Sequence, residues 1–363
     1  MPKNKKPDKI LLIVVTLLIV VGMIILISAS IEQSKEDFGN IYGYFLHQFI
    51  YGILLGGVLG ASAYLFPYKK LQKLALPLLL GALFLLMLVF VPGVGIEIGG
   101  SQRWINLGFG TFQPSELLKL TFIIYLATWL ASKVKNIKKN PHFIPFLILL
   151  GILSLLVLLQ PDLSTFGIIA ITAAAMYFVS GVGFRYIAAM GGLGLLAFYA
   201  LVKVAPYRLN RVFTFLNPES DPLGMGYQIN QLLIAVGSGR IWGVGPLNGE
   251  QKYFLPLAMN DSIYAVWAEE TGFIGAFLLL SLFVALAWRG FIVAKSSKTK
   301  FGEFLAIGIS VWFFTQMLVN VGSILGVFPL TGVTLPFISY GSSSMMVTMM
   351  AAGILLQISK EVN

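Results

Sequence analysis

The sequence predicts an all-α polytopic membrane protein of about ten transmembrane helices. Both termini are expected on the cytoplasmic side, with one long structured extracellular loop between helices 7 and 8. Three observations carry that expectation. Of 363 residues, 57% are apolar and 11% are charged, whereas a soluble domain carries about 25% charged residues. Runs of about 18–22 apolar residues recur, long enough to cross about 30 Å of hydrocarbon as helices. The basic residues gather on alternate connections between those runs.

The apolar runs fall at 10–31, 44–66, 74–92, 114–132, 143–160, 165–182, 187–205, 263–288, 303–327 and 339–359. The first follows Lys3, Lys5, Lys6 and Lys9 and ends near Ser28-Ala29-Ser30, which imitates a signal peptide. Its apolar core is longer than the usual 7–15 residues and further spans follow, so it reads as an uncleaved anchor. The sixth and seventh runs are split by Gly181-Val182-Gly183-Phe184-Arg185, and Pro329 and Pro336 interrupt the stretch between the last two. The whole chain, 1–363, reads as one membrane domain. Its one long connection, 206–260, is rich in aromatics (Tyr207, Tyr227, Trp242, Tyr253, Phe254) and in Gly turns, with a short amphipathic helix expected around Gln228–Val236.

Seventeen of the 25 basic residues lie on one set of alternate connections, which the positive-inside rule makes cytoplasmic. The 15 acids are biased the other way: only Asp8, Glu303 and Glu361 share the basic side. The net charge of +10 therefore follows mostly from topology and not from nucleic-acid binding. Cys is absent, which excludes disulfides, thiolate nucleophiles and iron–sulfur clusters. His47 and His142 are the only imidazoles, and no phosphate-binding P-loop is present, so neither a His-rich metal site nor ATP-driven transport by this chain is expected.

Three polar clusters sit at the outer ends of spans. The first is Arg103-Trp104-Ile105-Asn106, followed by Gln113-Pro114-Ser115-Glu116 and Lys119. Pro114 suits the first turn of a helix, which puts Glu116 and Lys119 on one face, able to pair. An ionisable residue one turn into the bilayer usually faces a polar interior. The second is Gln160-Pro161-Asp162, where Asp162 is placed to cap a helix. The third is Gln251-Lys252 through Asp261-Ser262, leading into Glu269-Glu270. Asp261 can be an N-cap or, if buried near Glu269 and Glu270, a proton acceptor. Such an outer cavity fits an enzyme acting on a lipid-linked phosphate, and equally an ion-coupled transporter with Asp261, Glu116 and Lys119 as a relay.

At these residues the sequence resembles the SEDS family of bacterial membrane proteins (FtsW, RodA, SpoVE). The resemblance runs through Ser28-Ala29-Ser30, Arg103-Trp104-Ile105, Phe112-Gln113-Pro114-Ser115-Glu116-Leu117 with Lys119, and Gln160-Pro161-Asp162-Leu163. It continues through Arg211-Val212, Asn217-Pro218, Gly226-Tyr227-Gln228, Gly237-Ser238-Gly239, Leu255-Pro256 with Asp261, Glu269-Glu270 with Gly272, and Leu335-Pro336-Phe337-Ile338-Ser339-Tyr340-Gly341. The chain departs from the pattern at Leu257, where a Glu is usual, and at Ser342 and Arg240, where Gly is common. Ser28-Ala29-Ser30 and Gln251-Lys252 lean towards the FtsW branch over RodA.

The resemblance implies a peptidoglycan glycosyltransferase that polymerises lipid II into a glycan strand on the outer face of the cytoplasmic membrane, in division or elongation. The anomeric carbon is inverted and undecaprenyl pyrophosphate leaves. It implies a class B penicillin-binding protein as transpeptidase partner, together with other divisome or elongasome membrane proteins. It makes Asp261 the essential aspartate, and Arg103, Glu116 and Lys119 the polar positions of the outer cavity. Inversion needs a base at the acceptor hydroxyl and cations at the pyrophosphate. Asp261 is then the expected base, Arg103 and Lys119 the cations, and Glu116 the group that orients Lys119. Arg208 and Arg211 are expected to guide a pyrophosphate or touch the partner, and a divalent cation, Mg²⁺ or Mn²⁺, is expected without assigned ligands. The rival readings are a lipid II flippase and a non-enzymatic division scaffold. The crowding of acids in the outer half favours chemistry there.

Overall fold

The computed structural model describes residues 6–361 except 99, 100, 107, 109, 140, 205 and 257. The Leu257 departure and the lysines at 3 and 5 lie outside the described residues.

Each of the ten apolar runs is helical. They form α1 (Lys9–Phe38), α2 (Gly43–His47) continued through a π-helical stretch into α3 (Leu55–Leu65), α4 (Tyr68–Leu88), α5 (Pro114–Lys133), α6 (Phe143–Leu159), α7 (Leu163–Val179) and α8 (Phe184–Val204). The remaining three are α11 (Ile263–Ser296), α12 (Lys300–Ile324) and α13 (Ser342–Ser359). Eight of these runs are long and apolar enough to cross a bilayer, counting Gly43–Leu65 as one; α6 and α7 are apolar but have only 17 residues each. Local chemistry sets the boundaries. Asp8 caps α1 by accepting from the Leu11 N–H, and Gly39, in the left-handed region, ends it. Pro114 opens α5, as expected. α1 outruns its apolar stretch because Glu32–Phe38 continue the helix into polar surroundings.

The core is centred on α5 and α12. Lys119, Phe122, Trp312 and Phe313 are fully buried there, whereas α4, α6 and α8 turn large apolar side chains outward, as helices facing lipid do. Between α12 and α13 the prolines break the helix, as the sequence indicated. The segment 325–341 turns back into the bundle, and Leu335, Phe337 and Ile338 are buried. Non-helical backbone at such depth is tolerated only inside protein. Its polar groups are satisfied accordingly: Gly341 N–H donates to Gln48, Tyr340 N–H to the Met259 carbonyl, and Leu335 N–H to Ser339 Oγ.

An all-helical fold is not the whole picture. After α4 the chain forms a three-stranded antiparallel sheet, β1 (Gly95–Ile98), β2 (Ser101–Asn106) and β3 (Thr111–Phe112), in the order β1-β2-β3. Ile96 pairs with Trp104 and Ile105 with Phe112. The sheet carries Arg103 and Trp104 to the end of the bundle.

The connection 206–260 is also folded. It holds α9 (Pro206–Leu216) and α10 (Met225–Ser238), and the latter contains the short helix expected at 228–236. Beyond α10 the chain docks into a break in α11. Gly272 has φ 65° and ψ −167°, which interrupts the helix. Residues 240–245 supply the missing partners: Val244 and Gly245 N–H donate to the carbonyls of Glu269 and Glu270, and Phe273 and Ile274 N–H donate to those of Arg240 and Ile241. The approach is close enough that a Cβ on Gly243 would stand 2.2 Å from the Glu270 oxygen.

Candidate functional site

A cavity of ≈ 420 Å³ opens at the end of the bundle where the sheet and the 206–260 connection lie. Its wall is assembled from β2 and β3, the first turns of α5 and α7, the α2 region, residues 260–261 ahead of α11, and the segment 332–346. Arg103, Glu116, Lys119 and Asp261, the four polar positions picked from sequence, all line it.

Lys119 and Glu116 pair as their i, i+3 spacing requires, Nζ to Oε1 at 2.8 Å. Lys119 also donates to Gln316 Oε1 at 2.8 Å and lies 5.1 Å from the centre of the Trp312 ring. That uses two of the three ammonium donors. The other carboxylate oxygen of Glu116 is buried and has no hydrogen-bond partner among the described residues. Arg103 reaches across to the turn between α6 and α7, its Nε donating to the Gln160 carbonyl at 3.0 Å and a terminal nitrogen to the Pro161 carbonyl at 2.6 Å. Asp162 accepts from the Thr165 N–H and caps α7, the structural role its position indicated.

Asp261 is not the cap of α11; Ser262 holds that position. Burial pushes the Asp261 carboxyl above its ordinary value, opposed by its backbone hydrogen bonds and by the positive charge of Arg211. Arg211, on α9, lies within electrostatic reach of Arg103, Asp261 and Asp162. Burial and the like charge of Arg103 lower its pKa, and its Nε is buried without a hydrogen-bond partner among the described residues. Two guanidinium groups so placed, one incompletely paired, form a natural seat for an anion. Neither Arg208 nor Arg211 is among the residues that line the cavity; Arg208 donates to Tyr207 and to the Leu201 carbonyl, and Arg211 acts on the site only through its charge.

Glu269 and Glu270 turn away from Asp261. Glu269 accepts from the N–H groups of Glu250 and Gln251. Glu270 receives Lys252 Nζ at 3.2 Å, and Lys252 also donates to Ser28 at 2.8 Å. These buried groups pin the connection against α1 and α11, which gives Ser28 and Lys252 a structural purpose.

The structure adds residues that the sequence reading missed. Tyr340 and His47 meet at 3.0 Å on the cavity wall, and Gln113 N–H donates to Ser343. Gln316 and Asn320 reach the site from α12. The available signal was their polarity: amides four residues apart inside an apolar helix need partners.

The family described as Cell cycle protein, FtsW/RodA/SpoVE, matches residues 8–363. Stage V sporulation protein E of Bacillus subtilis (strain 168) is 39% identical over 364 residues, covering 99% of this chain and 98% of the relative. A probable peptidoglycan glycosyltransferase FtsW of Geobacter sulfurreducens is 40% identical over 354 residues, covering 97% and 95%. Among solved structures, a chain from a study of the structural coordination of polymerization and crosslinking by a peptidoglycan synthase complex superposes with a TM-score of 0.81 at 30% identity, covering 97% of both chains. The rod shape determining protein RodA of Thermus thermophilus gives 0.72 at 27% identity, covering 99% and 98%.

Proposed function

The chain belongs to the FtsW/RodA/SpoVE family, and from that membership and the cavity's charges we propose that it is a peptidoglycan glycosyltransferase polymerising lipid II. The observation that carries the reading is a proton acceptor and cations on one cavity: Asp261 held in a desolvated wall that Arg103 and Lys119 share, with Arg211, off the lining, within electrostatic reach of Asp261. The curated relatives named peptidoglycan glycosyltransferase support it over the whole chain.

In the proposed step, Asp261 takes the proton of the 4-hydroxyl of one lipid-linked disaccharide. The freed oxygen attacks the anomeric carbon of a second, the bond to pyrophosphate breaks with inversion, and undecaprenyl pyrophosphate departs. A raised carboxyl pKa suits a base working near neutral pH. Arg103 and the remaining Lys119 donor, both on the cavity wall, offset the charge that develops on the leaving pyrophosphate, and Arg211 adds its charge from within reach of Asp261. Glu116 holds Lys119 in place. Arg208 has no part in this arrangement and is assigned to the rim.

A divalent cation fits only as a companion of substrate phosphates. No group of three His, Asp or Glu side chains among the described residues could hold one, but Mg²⁺ is often bound by one or two carboxylates with phosphates and water. The unpartnered Glu116 oxygen and Asp261 are the available carboxylates. Bound there, Mg²⁺ or Mn²⁺ would neutralise pyrophosphate charge.

The reading places the cavity on the outer face of the bacterial cytoplasmic membrane, consistent with the basic connections at the opposite end. A class B penicillin-binding protein is the proposed crosslinking partner, supported by the likeness to a synthase-complex chain. The test is polymerisation of purified lipid II, with Mg²⁺, by the protein co-purified with such a partner. Glycan strands should form with wild type and fail with Asp261→Asn. Transport of lipid II across vesicles without any polymer would overturn the reading in favour of a flippase.

A further inference from the structure

Gln316 and Asn320 lie one turn apart on α12 and are 0% and 1% exposed. An amide so deep in an apolar helix is unfavourable unless its hydrogen-bonding groups are used. Gln316 Oε1 accepts from Lys119 Nζ at 2.8 Å and from Trp312 Nε1 at 2.7 Å, while its Nε2 donates to the Thr334 carbonyl at 2.8 Å. Asn320 Nδ2 donates both ways, to the Asp261 carbonyl at 2.8 Å and to the Val333 carbonyl at 2.7 Å. The two amides therefore grip adjacent residues of one strap, Val333–Thr334. Each amide also holds a residue of the proposed chemistry, Gln316 through its Oε1 and Asn320 through the same Nδ2, while Asn320 Oδ1 is buried without a partner among the described residues. The strap itself passes the base, since a Cβ on Gly332 would lie 3.8 Å from Asp261 Oδ2.

We propose that Gln316 and Asn320 are positioning residues, which use the Val333–Thr334 strap as a common ruler to fix the separation of the Glu116–Lys119 pair from Asp261. The proposal rests on the reading of the cavity as a glycosyl-transfer site. In an inverting displacement the attacking oxygen and the leaving pyrophosphate stand on opposite sides of one carbon. The base and the cations must then keep a set distance, of the order of 0.5 Å in tolerance. Here every amide spans from the strap to a charged group or its backbone, giving the chain Glu116, Lys119, Gln316, Thr334, Val333, Asn320, Asp261.

The experiment measures kcat and KM for lipid II with the partner-bound protein in proteoliposomes, for Gln316→Ala, Asn320→Ala and the double variant. Each single change should lower kcat about 100-fold, the scale of a 1 Å misplacement, with KM within about twofold because substrate binding groups are untouched. The double variant should be no slower than the worse single one, since both act through one strap. A wild-type kcat in either folded single variant, or losses that multiply in the double, overturns the proposal. If Asn320→Ala cannot be purified folded, Asn320→Asp keeps the side-chain size and leaves at most one donor; it should show the same kcat deficit, and a wild-type kcat there overturns the proposal as well. Asp261→Asn, run alongside, separates the two readings. An inactive Asp261→Asn with unaffected Asn320 and Gln316 variants removes only the positioning role, whereas an Asp261→Asn variant that polymerises normally removes both.

Discussion

At the end of the bundle where the termini meet, every described carboxylate has a partner. Asp8 caps α1 and pairs with Arg289, while Glu361 accepts from Tyr68, from Lys69 and from the Lys298 N–H. Burial pushes both carboxyls up, but these partners outweigh it and hold them below the usual carboxylate value. At the cavity end the same residue types go the other way. Burial dominates at Asp261, which rises, and at Arg211, which falls beside Arg103. The closed end pairs its described carboxylates, whereas the cavity end pairs Glu116 with Lys119 but leaves Asp261 without a side-chain partner among the described residues. Asp261 and Arg211 are more deeply desolvated than Asp8 and Glu361 and also lack their close side-chain partners, so depth and partnership together separate a structural charge from one available for chemistry.

The comparison can be broken by removing charge at each end. Asp261→Asn should lower polymerisation by about 10²–10⁴-fold, the usual contribution of a positioned base. The same variant should melt higher than wild type at pH 7–8, because a carboxyl whose pKa is raised by burial destabilises the folded protein once ionised. Next, Arg103→Ala should reduce kcat by about 10²–10³-fold, as loss of a transition-state donor does; turnover at the wild-type rate would move the pyrophosphate elsewhere. A sharper test is Arg211→Ala. Its cation opposes the upward shift of Asp261, so the acid limb of the pH–rate profile should move to higher pH without it. An unmoved or lower limb would separate the two residues. The smallest effect belongs to the closed end. Asp8→Asn should leave kcat unchanged and lower stability by about 1–2 kcal/mol, diminished because Arg289 reaches water. In wild type the stabilisation from Asp8 and Glu361 is complete above the ordinary carboxylate range and is lost as pH falls through their depressed pKa values. Thermal melts across pH 3–7 would measure it.

Most of the helical architecture was legible because lipid-spanning helices announce themselves by apolar length. The helix start at Pro114 and the Glu116–Lys119 pair followed from local rules alone. The sheet was not legible in that way, since β1 to β3 are short and their pairing of Ile96 with Trp104 depends on register. Arg103 and Asp261 could be singled out as polar groups at span ends, but their convergence on one cavity needed the fold. Glu269 and Glu270 misled by sequence proximity: eight and nine residues from Asp261 along the chain, they are turned onto the 250–251 backbone and Lys252 by the helix. Gln316 and Asn320 were hidden by the apolar residues around them, and only the distances to Lys119 and Asp261 reveal their use.

The junction at Gly272 limits how this chain can be cut or grafted. Because 240–245 complete the hydrogen bonding of α11, a nick or an inserted tag there would strip partners from a helix that is 34 residues long. By contrast, the turn before α10 presents Leu223 at 94% exposure. A reporter or protease site belongs at that turn, and a chimera that exchanges the outer connection must take α11 as far as Ile274 with it.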